Sequence, residues 1–181
     1  MTLRKLDPLL ATAKAIVWFF TGVFAFAGLV VLLAAPAVLI MQDRVLAEMR
    51  GEGLPADGGT IGAIILLLLG VALLLGLMVW FLVLLRRIID SVRDGDPFAP
   101  INAGRLARMG WIALGGQLAA IPVGAIAMYL DDVIGDGHDK LQINADFGID
   151  GGGILLILVL FILARVFRHG ATMREDLEGT V

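Results

Sequence analysis

The side chains best suited to chemistry in this sequence are the carboxylates and the imidazole of one short acidic segment. Asp131, Asp132, Asp136 and Asp139 lie close to His138 in the sequence. Oxygen ligands on a flexible loop are those that a hard cation such as Ca²⁺ prefers. Their spacing does not match an EF-hand loop, so we interpret the segment as a solvated acidic loop and expect no metal site.

Other groups that could carry catalysis are scarce. The two histidines, His138 and His169, stand on either side of an apolar run that we expect to cross the membrane, so they cannot act on one substrate. The sequence has no cysteine, which excludes thiol nucleophiles, disulfides and thiolate metal ligands. No serine stands in a nucleophile motif, and no glycine-rich phosphate loop follows a strand. We therefore expect no enzyme activity and no cofactor.

The composition indicates a membrane protein. Of the 181 residues, 59% are hydrophobic and 17% are charged, whereas a soluble domain has about 45–50% apolar and about 25% charged residues. The uncharged runs 15–41, 61–85 and 109–130 each exceed the roughly 20 residues that a membrane-spanning helix needs. Arg4 and Lys5 precede the first run as in a signal peptide, but the run is too long for one. We expect one all-α integral membrane domain, residues 1–181.

A fourth membrane span is predicted at 150–167, although its apolar part is short. The uncharged stretch 154–164 ends at Arg165 and, at about 1.5 Å per residue, does not cross a hydrocarbon layer of about 30 Å. Tilt of the helix and snorkelling of Arg165 and Arg168 would extend it. The alternative is a re-entrant or interfacial helix.

Four alternating spans predict an orientation. They place a basic turn at 86–108 on the same side as both termini, opposite outer loops at 42–60 and 131–149. That side receives eleven of the fourteen lysines and arginines. Three tryptophans fall near it, as interfacial indoles do: Trp18, Trp80 and Trp111. The bias towards positive cytoplasmic loops then places both termini and the turn in the cytoplasm, with the protein in the bacterial inner membrane.

The second outer loop contains an alternating segment. Between 141 and 149, apolar residues occupy every other position, which is the period of a half-buried strand. We expect a short outer β-strand there. A single strand needs a pairing partner, which would be another outer segment, a second copy of the chain or a different polypeptide.

The third span carries small residues at regular spacing. Gly116, Ala120 and Gly124 recur every four residues and form one ridge that permits close helix approach. The ridge would serve packing within a four-helix bundle or, alternatively, a homo-oligomeric contact. Gln117 is expected to form an interhelical hydrogen bond.

The polar turn before the third span is the most distinctive part of the sequence. Asp96, Pro97 and Phe98 indicate a tight turn that carries an apolar side chain. Asn102 is predicted to cap the following helix, and Arg105 is suited to a lipid phosphate. The tail from 167 to 181 is typical of a frayed helix end with acidic residues.

These two segments carry a resemblance to a known family. GDPF followed by N-x-x-R-L and G-W, with a tail F-R-x-G-x-x-x-x-E-D-L-E-G-T-V, resembles the bacterial family called domain of unknown function 2975. Its members are small four-helix membrane proteins, frequently encoded beside a small helix-turn-helix transcription factor of the Cro/CI type. The resemblance thus implies control of such a regulator. The matching positions are Gly95, Asp96, Pro97, Phe98, Asn102, Arg105, Leu106, Gly110, Trp111, Arg168, Gly170, Glu175, Asp176, Leu177, Thr180 and Val181.

The expected function is therefore non-enzymatic. We expect an inner-membrane protein that binds and regulates a cytosolic helix-turn-helix regulator, without itself contacting nucleic acid. The residues expected to bind this partner are Asp96, Pro97, Phe98, Asn102, Arg105, Arg168, Glu175, Asp176 and Leu177. Two alternatives stay open at this point: an accessory subunit of a larger membrane complex, and a sensor of a lipid or another hydrophobic ligand.

Overall fold

The protein is built from helices. A computed structural model describes residues 8–54, 57–94, 96, 98–134 and 150–178, the last four of these through their backbone alone. Every regular element in these ranges is helical. The five helices are α1 (Pro8–Ile40), α2 (Gln42–Gly51), α3 (Gly58–Arg93), α4 (Pro100–Ile134) and α5 (Gly151–Glu178).

Four of these helices are long and apolar enough to cross a membrane: α1, α3, α4 and α5. Their most hydrophobic windows are almost unburied within the protein, because the apolar side chains face outwards, where lipid replaces water as the solvent. The four predicted spans are thereby confirmed as helices. The fourth span, whose apolar part is short, belongs to a helix of 28 residues with a length of about 42 Å.

The predicted connections differ from the observed ones. The turn expected at 86–108 shrinks to 94–99, because α3 continues as a helix to Arg93 and α4 begins at Pro100. The outer loop expected at 42–60 contains α2, and the start of the loop expected at 131–149 belongs to α4, which ends at Ile134. The remainder of that loop, with the predicted strand, lies outside the described residues.

The short helix α2 is defined by its C-terminus. Gly53 has φ of 74°, in the left-handed region that glycine adopts without steric cost. The N–H groups of Gly53 and Leu54 donate to the carbonyls of Arg50 and Met49, at 3.2 and 2.9 Å, which is the hydrogen-bond pattern of a Schellman motif. Sequence reasoning missed α2, although an acidic residue in its first turn and the glycine after its end both signal a helix.

The start of α3 is capped by Asp57. Its carboxylate accepts hydrogen bonds of 2.8 Å from the backbone N–H and from the hydroxyl of Thr60, which satisfies a helix donor that has no partner within the helix. These two bonds lower the pKa of the Asp57 carboxyl below its usual value of 3.8. The cap therefore stabilises the protein at neutral pH, and this contribution is lost as the pH falls through the lowered pKa of Asp57.

The contacts among the described residues divide the chain into two compact units. Unit 1 comprises residues 8–24, 77–114 and 152–178. Its core joins α3, α4 and α5 through six buried apolar side chains: Leu84, Leu106, Met109, Ile112, Leu160 and Ala164. Segments of α3, α4 and α5 are thus organised around one small apolar cluster.

Unit 2 comprises residues 25–54, 57–76, 115–134 and 150–151. Here a glycine permits a close approach between two helices. A Cβ atom built on Gly70 of α3 would lie 2.5 Å from Cγ2 of Val123 on α4. Val123 is 5% exposed, and its branched side chain has little rotameric freedom. Glycine at position 70 therefore permits α3 and α4 to pack at this distance.

Replacement of Gly70 by alanine is expected to destabilise the protein. The new methyl group would overlap Val123 and cost about 1–3 kcal/mol of unfolding free energy, as overpacking usually does. The double variant Gly70→Ala with Val123→Ala should recover most of the loss. Apparent thermal stability in detergent measures both effects.

The matched control is Gly76→Ala, also on α3, where an added Cβ meets nothing within 4 Å among the described residues. This variant should retain the stability of the parent. Equal melting temperatures for Gly70→Ala and Gly76→Ala would contradict the assigned role of Gly70.

Candidate functional site

The turn between α3 and α4 is short and hydrogen-bonded. The backbone N–H of Asp96 donates to the carbonyl of Ser91 at 3.1 Å, and that of Asn102 donates to Ala99 at 2.8 Å. Pro100 occupies the first position of α4, where its missing N–H costs nothing and its fixed φ suits the helix. Asn102 therefore lies inside α4, and the prediction that it caps the helix is wrong.

This turn packs on α5. The ring of Phe98 lies against Gly170, where an added Cβ would come within 2.9 Å of Cδ1. The same ring is 5.3 Å from the ring of Phe167, centroid to centroid. A guanidinium nitrogen of Arg174 lies 2.6 Å from a carboxylate oxygen of Asp96. We call these five residues the turn–α5 contact.

The apolar part of the turn–α5 contact contributes more than its ion pair. The side chains of Asp96 and Arg174 are about half exposed, and an ion pair in that setting stabilises a fold by about 0–1 kcal/mol. Phe98 covers a glycine and meets a second aromatic ring, and such ring pairs add about 0.5–1.5 kcal/mol beyond area burial. The close fit at Gly170 therefore holds the turn, and the ion pair orients it.

A buried amide joins α3 to α4 beneath the turn. Asn102 is fully buried, and its side-chain N–H donates to the hydroxyl of Ser91 at 2.6 Å. Its carbonyl oxygen accepts from the guanidinium of Arg105 at 2.9 Å, and Arg105 also donates to the backbone carbonyl of Arg87 at 2.8 Å. Asn102 and Arg105 thus serve interhelical hydrogen bonding, which leaves Arg105 less available to a partner or a lipid than its sequence position indicates.

The G-W pair contacts α5 in a similar way. A Cβ on Gly110 would lie 3.1 Å from Cζ of Phe161, so the ring packs directly against the α4 backbone. The rings of Trp111 and Phe161 meet edge to face, with centroids 5.5 Å apart. Gly110 is required here for close approach, and Trp111 extends the aromatic surface outwards.

A fourth set of contacts joins α1 to α3. The ammonium of Lys14 lies 2.5 Å from one carboxylate oxygen of Asp90, and Arg86 approaches the other at 3.7 Å. The guanidinium of Arg86 also lies 4.5 Å from the ring centre of Trp18, a cation–π distance. Lys14 and Trp18, four residues apart on α1, therefore contact Asp90 and Arg86, four residues apart on α3. Trp18 thus contributes to the contact between the two helices.

The structure brings together some of the predicted partner-binding residues. Asp96 and Phe98 meet α5, while Asn102 and Arg105 lie behind the turn. Arg168 is exposed. Pro97 and the side chains of 175–177 lie outside the described residues. Sequence reasoning missed three residues that make these contacts: Phe167, Arg174 and Ser91. The helical spacing of Phe167 and Arg174 from Gly170, which places them on one face of α5, is a signal that could have identified the first two.

The predicted packing residues of α4 give a mixed picture. The Gln117 amide donates to the backbone carbonyl of Asp150 at 3.5 Å, which is long for a hydrogen bond. Gly124 is buried and Ala120 is half-buried. An added Cβ on Gly116 would meet nothing within 4 Å among the described residues. Both roles of the ridge, packing within the bundle and an oligomeric contact, therefore remain predictions, whereas Gly70 marks a close approach of α3 and α4.

An open groove lies beside the turn–α5 contact. Its volume is about 730 Å³, and 44% of Phe98 is exposed. We call it the turn groove. Its lining residues are Phe98, Ile162, Arg165, Val166, His169, Gly170 and Met173. The groove presents apolar side chains and two basic ones at the end of α5, which suits a partner with an apolar side chain and an acidic surface.

Groups that could hold a metal ion do not assemble in the part of the chain that the structure describes. No cluster of three histidine, aspartate or glutamate side chains occurs there. Asp131 and Asp132 lie at the end of α4, whereas Asp136, His138 and Asp139 lie outside the described residues.

Comparison with known proteins places the chain in a family. Residues 41–181 match a family described as "Protein of unknown function (DUF2975)". The chain belongs to the DUF2975 family. No curated protein and no solved structure matches it. The matched region begins immediately after the end of α1. Lys14 and Trp18 therefore lie outside the region that the DUF2975 model covers.

Eight of the described residues that carry the DUF2975 resemblance have packing roles in unit 1, whereas Arg168 is exposed. Asp96, Phe98 and Gly170 make the turn–α5 contact, and Asn102 and Arg105 join α3 to α4. Three more lie in or beside the core: Leu106, Gly110 and Trp111. The turn motif and Gly170 of the tail motif are distant in the sequence but meet in the turn–α5 contact.

The packing of Phe98 against Gly170 of α5 can be tested by the variant Gly170→Val. The added side chain would occupy the position of the Phe98 ring and displace the turn. Because the chain lacks cysteine, Asp96→Cys and Arg174→Cys introduce a unique pair for a short bifunctional thiol reagent. The yield of intramolecular cross-link, measured by mass spectrometry, should fall severalfold when Gly170→Val is added.

Gly104→Val on α4 is the matched control, since a Cβ there meets nothing within 4 Å among the described residues. It should leave the cross-link yield unchanged. The turn–α5 contact would be refuted by equal yields in the two valine variants.

Proposed function

We propose that this DUF2975 protein is a non-enzymatic membrane protein that holds a cytosolic regulator at the turn groove and releases it in response to a signal. The observation that carries the proposal is the position of Phe98. This aromatic residue lies outside the apolar runs of α3 and α4, so contact with lipid tails does not account for its exposure. Its exposed fraction is 44%. An exposed aromatic side chain on a fixed support is typical of a binding anchor.

The rest of the turn groove supports protein binding. Ile162, Val166 and Met173 are all more than 40% exposed, and they extend the apolar surface along α5. Arg165 and His169 border it. Apolar contacts would supply most of the affinity, while the basic side chains would attract an acidic partner and orient it. The family resemblance favours a small helix-turn-helix transcription regulator of the Cro/CI type.

We further propose that unit 1 lies on the cytoplasmic side of the bacterial inner membrane, with both termini. Nine of the eleven lysines and arginines among the described residues belong to unit 1. The two in unit 2 are Arg44 and Arg50. All three tryptophans also belong to unit 1. Such an asymmetry favours the cytoplasmic side.

The orientation is tested by cysteine accessibility in intact cells. Asp94→Cys, at the α3–α4 turn, should be protected from an impermeant thiol reagent, whereas Glu52→Cys, after α2, should be labelled. Both residues are exposed, so burial does not confuse the comparison. Labelling of Asp94→Cys with protection of Glu52→Cys would show the opposite orientation and would contradict binding of a cytosolic partner at the turn groove.

Partner binding is tested by co-purification of the tagged protein with a co-expressed Cro/CI-type regulator of its own genome. Met173→Asp should reduce recovery of the regulator about tenfold or more, because a buried methionine contributes about 1.5–3 kcal/mol. Met173 lines the turn groove but is not part of the turn–α5 contact, so the variant tests binding without displacing the turn.

Ile101→Asp is the matched control, because Ile101 is 60% exposed in unit 1 and does not line the turn groove. It should retain the regulator. Equal recovery with Met173→Asp and Ile101→Asp would contradict the proposal, as would failure of the parent protein to retain the regulator.

A further inference from the structure

A second groove, which shares Arg165 and His169 with the turn groove, runs between α4 and α5 in unit 1. Its volume is about 640 Å³. We call it the α4–α5 groove. Its lining residues are Ala107, Phe161, Ala164, Arg165, Arg168, His169 and Thr172. Ala107 is contributed by α4 and all the others by α5.

The α4–α5 groove changes from apolar to polar along its length. From Phe161 to Thr172 it follows about three turns of α5, or roughly 16 Å. The Phe161 end is bordered by Ala164 and Ala107, and the other end by Arg168 and Thr172. Because Phe161 is the end nearer the middle of the predicted span, the groove is apolar at depth and polar towards the membrane surface. This gradient matches an amphiphilic molecule aligned with the lipids.

The cations of the groove lack protein partners in the described part of the chain. The guanidinium groups of Arg86, Arg105 and Arg174 each pair with protein groups. Those of Arg165 and Arg168 form no ion pair or hydrogen bond with another described residue, and both side chains are exposed. No acidic side chain is among the residues that line the groove. Among the described side chains, the charge at the polar end of the groove is therefore positive.

We propose that the α4–α5 groove binds one anionic phospholipid. An acyl chain lies along Phe161, Ala164 and Ala107, and the headgroup phosphate lies between the guanidinium groups of Arg165 and Arg168. Arginine offers donors in the planar arrangement that suits phosphate oxygens. Basic pockets between transmembrane helices are a recognised setting for anionic headgroups. This inference goes beyond the proposed function and does not depend on it.

The neighbouring contacts define the limits of the site. The hydroxyl of Thr172 donates to the backbone carbonyl of His169 at 2.8 Å, so it borders the headgroup without donating to it. Trp111 is 64% exposed and meets Phe161 edge to face, which places an interfacial indole beside the chain-binding end. Gly110 permits Phe161 to lie close to α4 and so keeps the ring at the side of the groove.

Selectivity follows from the charges. A zwitterionic headgroup brings an ammonium group that would find no carboxylate among the lining residues, so phosphatidylglycerol should bind better than phosphatidylcholine of the same chain length. A soluble phosphate would lack the apolar contacts and should bind weakly.

The test measures lipid retained by the full-length protein in native mass spectrometry. The protein in detergent is titrated with phosphatidylglycerol, with phosphatidylcholine and with inorganic phosphate. The double variant Arg165→Gln with Arg168→Gln should weaken phosphatidylglycerol binding about 30-fold, or about fivefold for each arginine near the membrane surface. The control Arg44→Gln with Arg50→Gln removes the same charge from α2 and should bind as the parent does.

A second variant keeps both arginines. Ala107→Leu narrows the apolar end and should reduce retention of phosphatidylglycerol while its melting temperature without lipid stays near that of the parent. Met173→Asp lies on the turn groove and should keep lipid binding, so failure of the regulator proposal and failure of the lipid proposal can be told apart.

Three results would overturn the inference. One is equal binding of phosphatidylglycerol and phosphatidylcholine by the parent. The second is parental affinity in the Arg165→Gln, Arg168→Gln variant. The third is displacement of phosphatidylglycerol by inorganic phosphate at equal concentration, which would identify a site for a free anion.

Discussion

In a bilayer, an apolar side chain gains little by exchanging lipid for another apolar surface, so helices associate through close packing and polar contacts. This constraint explains the character of the whole protein. Gly70, Gly110 and Gly170 each admit a side chain that a Cβ atom would obstruct. The turn–α5 contact depends on Gly170, because a side chain there would displace the ring of Phe98.

Polar interactions occur where the helices leave their apolar runs. Lys14 with Asp90, and Asn102 with Ser91, join helix ends by short hydrogen bonds. Charged and polar groups are tolerated more readily at the ends of membrane spans than at the membrane centre. Helix association is therefore stabilised in two ways. Close packing acts within the apolar runs, and polar contacts act at their ends.

The helix α5 connects the two proposed binding surfaces. Arg165 and His169 line both the turn groove and the α4–α5 groove, while Gly170 supports the turn. A lipid on one side of α5 and a regulator on the other would therefore share two side chains. This arrangement offers a physical route by which membrane composition could affect retention of the regulator.

The amino-acid sequence by itself determined the four membrane-crossing helices, because an uncharged run of sufficient length has no other stable structure in lipid. It also identified the family through GDPF and the tail motif. The helix bounds were less accurate, since Arg86 ends the apolar run of α3 without ending the helix, which continues to Arg93. Loss of hydrophobicity marks the membrane surface, whereas the helix continues as long as its backbone hydrogen bonds do.

Tertiary structure decided what the motif residues do. Asn102 has the side chain of a helix cap but is buried inside α4, where Ser91 and Arg105 bind it. Phe98 was expected to face a partner, and the structure shows that it covers Gly170. Neither role follows from local sequence, because each depends on residues of another helix that only the packing of α3, α4 and α5 brings within reach.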